Sequence, residues 1–366
     1  MILSLTSGAQ SSAVSVNLHN VHLFGRTGMI GERETGLVYK DEFRADQICR
    51  RYQKRPRKVI GFNEVWDDLL ASDMIQSLKP TYPYAVRSPS ARGIQEILDV
   101  LKKRWPRSSG LIAERTSDIV DYLAKSHYHA DASFWWSAVR YCVKEDWLIW
   151  ALEHSLKLPQ FLGAGLLLLS QYPIVSSEFI PYPAKADLER LIGKGILKAV
   201  IQPPEGGRFV VLLTHLQEGN SPEAVEARRR QVLQLKKEKA ASLYPVIVIM
   251  DSNIRADTTA EYFRTKNRLD MDDVFRILHP DARAEPGYTY EHCNSKNPYS
   301  AKLGVRSAPD QEPQRIDMIY SQGFRPVFCR VAAEEFISDD GDYFLADHHA
   351  VSATLVPILE GAESPV

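Results

Sequence analysis

"FVVLLTHLQ", residues 209–217, runs apolar and then stops on Thr-His-Leu-Gln. A strand that ends on an imidazole has two readings. It is either a strand edge reaching water, or a strand that carries a functional group to the rim of a sheet. The neighbouring segments repeat the pattern. "VIGFNEVW" (59–66) stops on Glu64, and "VIVIMDSN" (246–253) stops on Asp251 and Asn253. "RIDMIY" (315–320) contains Asp317, "LADHHAV" (345–351) contains Asp347 and His348, and the β-branched run 13–24 contains Asn20. Strands that end on polar groups can converge on one rim, where loops and strand termini build a site above a rigid sheet.

Helical segments lie between these strands. "KDEFRADQICRRYQKR" (40–55) spaces Phe43, Ile48 and Tyr52 along one side. "DDLLASDMIQSLK" (67–79) and "SPEAVEARRRQVLQLKKEKAA" (221–241) are further helices, the last with proline in its first turn. "AGLLLLSQYPI" (164–174) reads as a strand. "KGILKAVIQP" and "GGRFVVLLTHLQ" read as a pair joined by a turn through Pro203, Pro204 and Gly206. From about 90 to 158 the texture is helical, and Trp135, Trp136, Trp147 and Trp150 gather there. Those tryptophans suit either packing against the rest of the fold or contact with a bilayer interface.

The 366 residues allow one large domain with an insertion. Hydrophobic residues make up 44% and charged residues 25%, an ordinary globular balance. A formal net charge of -1 gives no bulk argument for a polyanionic partner, although a local groove is not excluded. Cys49, Cys142, Cys293 and Cys329 are too scattered for a CxxC knuckle and are expected as free thiols. The first residues lack a basic head with a sustained apolar segment, and no run is long enough to cross a bilayer. The expected location is cytoplasmic, with peripheral membrane contact open.

The polar termini suggest particular chemistry. Glu64 is either a surface acid or a ligand for a hard cation. Asp251 and Asn253 stand two apart, so at strand spacing they face one way, as an acceptor and a donor. The alternative is an Asx turn closing the strand. Beside Asp347, a neutral His348 can take a proton from water, and a carboxylate such as Asp317 can hold its other nitrogen. The surroundings are rich in oxygen ligands, which favours magnesium, manganese or calcium over zinc.

Taken in order, "LHNVHLF", "IGFNEVW", "GAGLLLLSQYPI", "KGILKAVI", "FVVLLTHLQ", "VIVIMDSN", "QRIDMIY" and "LADHHAVSATL" resemble the endonuclease/exonuclease/phosphatase superfamily, the fold of DNase I. Within it the chain is most similar to neutral sphingomyelinases, also through "TYPYAV", "TTAEYF" and "GYTYEHCNSKNPYS". Inositol 5-phosphatases would instead show a "WCDR"-like segment where "QRIDMIY" stands. The resemblance implies an α+β fold, a four-layer α/β/β/α sandwich. Its catalytic domain would span 13–358, with a helical insertion at 90–158.

It also implies a Mg2+- or Mn2+-dependent phosphodiesterase acting on a phospholipid head group, converting sphingomyelin to ceramide and phosphocholine. A nuclease, or a phosphatase acting on a soluble ester, is the alternative. By motif, Asn20 and Glu64 would hold the cation, with Asp347 beside it. His348 would be the base, oriented by Asp317. Asp251 and Asn253 would bind phosphate and position water, and His215 would stabilise developing charge or assist the leaving group. Asp187 is either a further family acid or a surface acid. The chain departs from the pattern at Asn63, Met250 and Ala346, where glutamine, glycine and serine are usual.

Overall fold

The computed structural model describes residues 13–23, 40–90, 163–291, 296, 312–339, 341 and 343–358. The expected insertion, apart from residue 90, lies outside the described residues. So do its tryptophans, residues 24–39, Cys142, Cys293 and the end of the chain from 359.

Strand β1 (Val14–Leu23), helix α1 (Asp41–Lys54), β2 (Val59–Val65), α2 (Asp68–Leu78), β3 (Tyr84–Arg87) and β4 (Leu167–Ser170) come first. Then follow β5 (Ile174–Pro181), β6 (Gly195–Ile201), β7 (Phe209–His215), α3 (Pro222–Ala240), β8 (Val246–Asp251) and α4 (Ala260–Leu269). Next are β9 (Asp272–Asp273), α5 (Val274–Leu278), β10 (Asp317–Gln322), β11 (Phe324–Val331) and β12 (Val351–Pro357). The strands form two sheets, ordered β11-β12-β1-β2-β4-β3 and β5-β6-β7-β8-β10-β9.

Alternation along each strand explains the layers. Val16 and Leu18 of β1 face Leu213, Ile249 and Ile319 of the second sheet, making the core between the sheets. Ile60 and Phe62 turn the other way, onto Ile48 and Tyr52 of α1 and Leu70 and Met74 of α2. Val210, Leu212 and Val248 likewise pack under Val232 and Leu235 of α3 and Tyr262 of α4. The result is the expected helix–sheet–sheet–helix sandwich. The described strands form no single parallel sheet. Parallel pairing joins β1 to β2 and β7 to β8, and the other described ladders are antiparallel.

Side-chain caps start four of the described helices: Asp67 accepts from the Leu70 amide, Ser221 from Ala224, Thr259 from Tyr262 and Asp273 from Arg276. Gly61 lets the sheets approach, since a Cβ there would stand 2.8 Å from Leu213 Cδ1. The run 164–174 is divided rather than continuous, with β4 ending at Ser170 and β5 beginning at Ile174. Cys49 and Cys329 are buried free thiols. Among the described residues no helix is long and apolar enough to cross a membrane.

Candidate active site

Registers place the polar strand ends together. His215 on β7 lies opposite Asp251 on β8, and Asp251 lies opposite Asp317 on β10. These side chains share the inward face of Leu213, Ile249 and Ile319, two residues along each strand. From the first sheet, Asn20 on β1 meets them across the core: its amide donates to Asp251 Oδ2 at 2.8 Å and to Glu64 Oε1 at 2.7 Å.

Strict alternation would send Glu64 outward with Ile60 and Phe62. Its left-handed backbone, φ 62, breaks the alternation. His22 is also left-handed, φ 44, on β1, where the register to β2 slips between Asn20 and Leu23. Such conformations are uncommon for residues with a Cβ and accompany functional constellations. They bring His22 Nδ1 to 2.8 Å from Glu64 Oε2 and to 3.9 Å from Asp347 Oδ2. Trp66 Nε1 also donates to Glu64 Oε2, at 3.3 Å.

His348 Nδ1 is 2.7 Å from Asp317 Oδ2. The Tyr290 ring packs on the His348 imidazole at 4.9 Å between centroids. His215 Nε2 lies 3.6 Å from Asp251 Oδ2 and 3.0 Å from the Asn253 amide nitrogen, which also donates to the Leu216 carbonyl. Asn253 itself has φ 51. His349 turns to Glu291, at 3.8 Å, and packs on Phe344. No strand carries it there, so strand alternation does not explain its direction. Asp187 stands apart, accepting from the Ser221 hydroxyl at 2.9 Å.

Burial penalises charge throughout the cluster, and the neighbours decide each outcome. Burial opposes ionisation of Glu64, but the charge and hydrogen bond of His22 hold it well below the usual carboxylate range. Burial also opposes protonation of His22, yet Asp347 and Glu64 push it up to about 9. Asp251 is pushed up to about 7 by burial and then by Asp317. His348 is lowered by burial but raised further by Asp317 and Asp347, and ends well above the ordinary histidine value. His215, buried and near Lys194, stays well below it.

Two groups of side chains can each offer ligand atoms within 4.8 Å of one another: Glu64, His215 and Asp251, and Asp251, Asp317 and His348. Asp251 belongs to both. Asp317 Oδ1, Asp347 Oδ1 and His215 Nδ1 are buried with no hydrogen-bond partner among the described residues. Unsatisfied buried carboxylate oxygens are costly, and a hard divalent cation is the partner that fits them. Of the three cation ligands expected from sequence, Glu64 lies inside these groups. Asn20 turns its amide nitrogen to the carboxylates and its oxygen to the His22 amide, at 3.3 Å. Asp347 lies at the His22 edge. Sequence reasoning missed His22, Trp66 and Tyr290. "NVHLF", "EVW" and "TYE" carry them beside residues that were singled out, but only the backbone geometry reveals their direction.

No family model matches the chain, and no curated protein matches it in sequence. Solved structures do. Sphingomyelinase C from Streptomyces griseocarneus superposes with a TM-score of 0.58 at 18% identity, over 94% of this chain and 99% of that one. A beta toxin variant from Staphylococcus aureus with bound magnesium ions gives 0.58 at 14%, over 93% and 99%. TDP2 from D. rerio, complexed with single strand DNA product, gives 0.57 at 13%, over 94% and 99%. The likeness extends over nearly the whole of each structure, and with the two six-stranded sheets between helical layers it gives this chain the DNase I-like fold.

Proposed function

We propose that the chain is a Mg2+- or Mn2+-dependent phosphodiesterase that hydrolyses a phospholipid head-group phosphodiester, in the manner of a sphingomyelinase. The observation that carries the catalytic part is Asp251. It is shared by both ligand groups and flanked on its own sheet by His215 and by Asp317, which holds His348. A divalent cation bound at Glu64 and Asp251 would stabilise negative charge building on the phosphoryl oxygens. Asn20 orders those carboxylates by donating to both.

The Asp317 carboxylate holds His348 Nδ1 and so aims Nε2, the nitrogen that takes a proton from the attacking water. This needs a neutral imidazole. A divalent cation at Glu64 and Asp251 would add positive charge beside His348 and so would favour its neutral form. His215, kept neutral, and the Asn253 amide offer hydrogen bonds to phosphate oxygens or to the leaving group.

The lipid reading draws support from the quoted motifs and from the likeness to sphingomyelinase C. It also draws support from charge. Glu218, exposed at the edge of the cluster, adds a further carboxylate near Glu64. Lys194 and Arg44, which act electrostatically on the cluster, are buried and already bonded to Leu216 and Leu345 carbonyls respectively. An acidic edge suits a single phosphodiester with a neutral or cationic remainder better than a polyanion tracked by phosphate contacts. The test is a metal-supplemented comparison of sphingomyelin vesicles, phosphoinositide vesicles and DNA, with Glu64→Gln and His348→Ala as controls. Release of phosphocholine by the wild type alone is expected. Cleavage of DNA without lipid turnover would replace the substrate and leave the site standing.

A further inference from the structure

Arg44, on α1, is fully buried although it carries a permanent charge. Its guanidinium has a partner in every direction. Nη1 donates to the Val21 carbonyl at 3.0 Å and to the Leu345 carbonyl at 2.8 Å. Nη2 donates to the His22 carbonyl at 2.8 Å and to the carboxylate of Asp41, itself buried. The three carbonyls belong to the two chain segments that carry the candidate site. Val21 and His22 follow Asn20, and Leu345 precedes Asp347 and His348.

The β1–β12 ladder ends at the Leu18–Val351 rung, short of both Asn20 and His348. Beyond that rung Arg44 bridges the two segments. It also holds the carbonyl of His22, whose left-handed backbone aims the imidazole at Glu64. A planar fork with fixed donor directions can make these bonds at once, whereas a lysine ammonium cannot reproduce them.

We propose that Arg44 is a positioning residue that fixes the separation between the Asn20–His22–Glu64 half of the site and the Asp347–His348 loop, and thereby sets the affinity for the divalent cation. The inference rests on the metal-dependent function proposed above. Residues that orient ligands without touching the ion typically change affinity or activity by roughly ten- to a hundredfold when replaced.

The test is Mn2+ binding by the full chain without substrate, read from the electron paramagnetic resonance signal of free Mn2+, alongside thermal melting. Arg44→Lys is the direct variant. Asp41→Asn/Arg44→Met is the second, because it removes the buried charge pair together and leaves no orphaned carboxylate if the lysine variant fails to fold. Leu235→Ala, on α3, controls for lost stability alone. The expected result is folded Arg44 variants that bind Mn2+ roughly ten- to a hundredfold more weakly, with the Leu235→Ala variant unchanged. Arg44→Gly should regain affinity with added guanidinium ion and not with urea. Folded Arg44 variants with wild-type affinity would overturn the inference and spare the proposed function. Equal weakening in Leu235→Ala would overturn it too, by reducing the effect to stability. A wild-type chain that binds no Mn2+ would overturn both.

Discussion

At the residue scale, the site is a set of carboxylates and imidazoles whose charges oppose one another. His348 is the sharpest case. Replacing it with alanine removes the proposed proton acceptor and leaves Asp317 buried without its partner. Turnover at saturating metal should fall by about 10²–10⁴-fold, measured as phosphodiester release with circular dichroism to confirm folding. Near-wild-type turnover would assign the base elsewhere. Asp251 gives a stability prediction of opposite sign. Its folded pKa, about 7, lies above that of an unfolded aspartate. The favourable contribution is therefore complete below the unfolded value, near 4, and is lost as pH rises to about 7. In chelator, Asp251→Asn should make the protein more stable than wild type at pH 8 by about 2–4 kcal/mol, and nearly equal to it near pH 4, while abolishing activity. Urea titrations at the two pH values measure this. His215 and Asp251 were legible because each ends an apolar run, and Asp317 because it opens one. His22 and Arg44 were not. Their partners Glu64 and Leu345 lie 42 and 301 residues away, and the left-handed turns that aim His22 and Glu64 leave no mark in a hydrophobic pattern.

At the element scale, β10 shows how a strand end is aimed. The amides of Ile316 and Asp317 both donate to Thr289 Oγ1 at 3.1 Å, and the Ser252 amide donates to the Ile316 carbonyl at 2.9 Å. Just upstream, Arg315 is buried and pairs with both Asp257 and Asp273, with Tyr262 completing the network. Removing the guanidinium leaves the buried Asp273 carboxylate without its cation, whereas half-buried Asp257 keeps Arg276. Arg315→Met should therefore cost about 3–5 kcal/mol, seen as a lower denaturation midpoint at unchanged m-value. A loss under 1 kcal/mol would show that Asp273 finds water or a proton instead. The elements that sequence pattern missed have physical reasons in common. β5 is largely exposed, and β11 alternates irregularly around Pro326, as an edge strand tolerates. β9 is two residues long. Buried β7 and β8, by contrast, were plain in the sequence because both faces are covered.

At the scale of the whole molecule, the site belongs to neither sheet alone. Asn20 and Glu64 come from the first, His215, Asp251 and Asp317 from the second, and His348 from the loop before β12. A cation held across that seam ties the two sheets together and should stabilise the entire fold. For a ligand that binds the native state only, a concentration a hundred times the dissociation constant adds about 2.7 kcal/mol. The increment must depend on pH, because protons and the cation compete for Asp251. At pH 5.5 Asp251 is mostly protonated in the metal-free fold, so binding must displace the proton and the affinity is reduced. At pH 8 the carboxylate is already ionised, and its repulsion with Asp317 is what the cation relieves. Metal-free stability thus falls as pH rises through this range while the stabilisation by Mn2+ grows. Melting the protein with and without excess Mn2+ at the two pH values should give a clearly larger shift at pH 8, and Asp251→Asn should flatten the difference. An equal shift at both pH values would remove Asp251 from the cation's ligands, and with it the link between the two ligand groups on which the proposed chemistry depends.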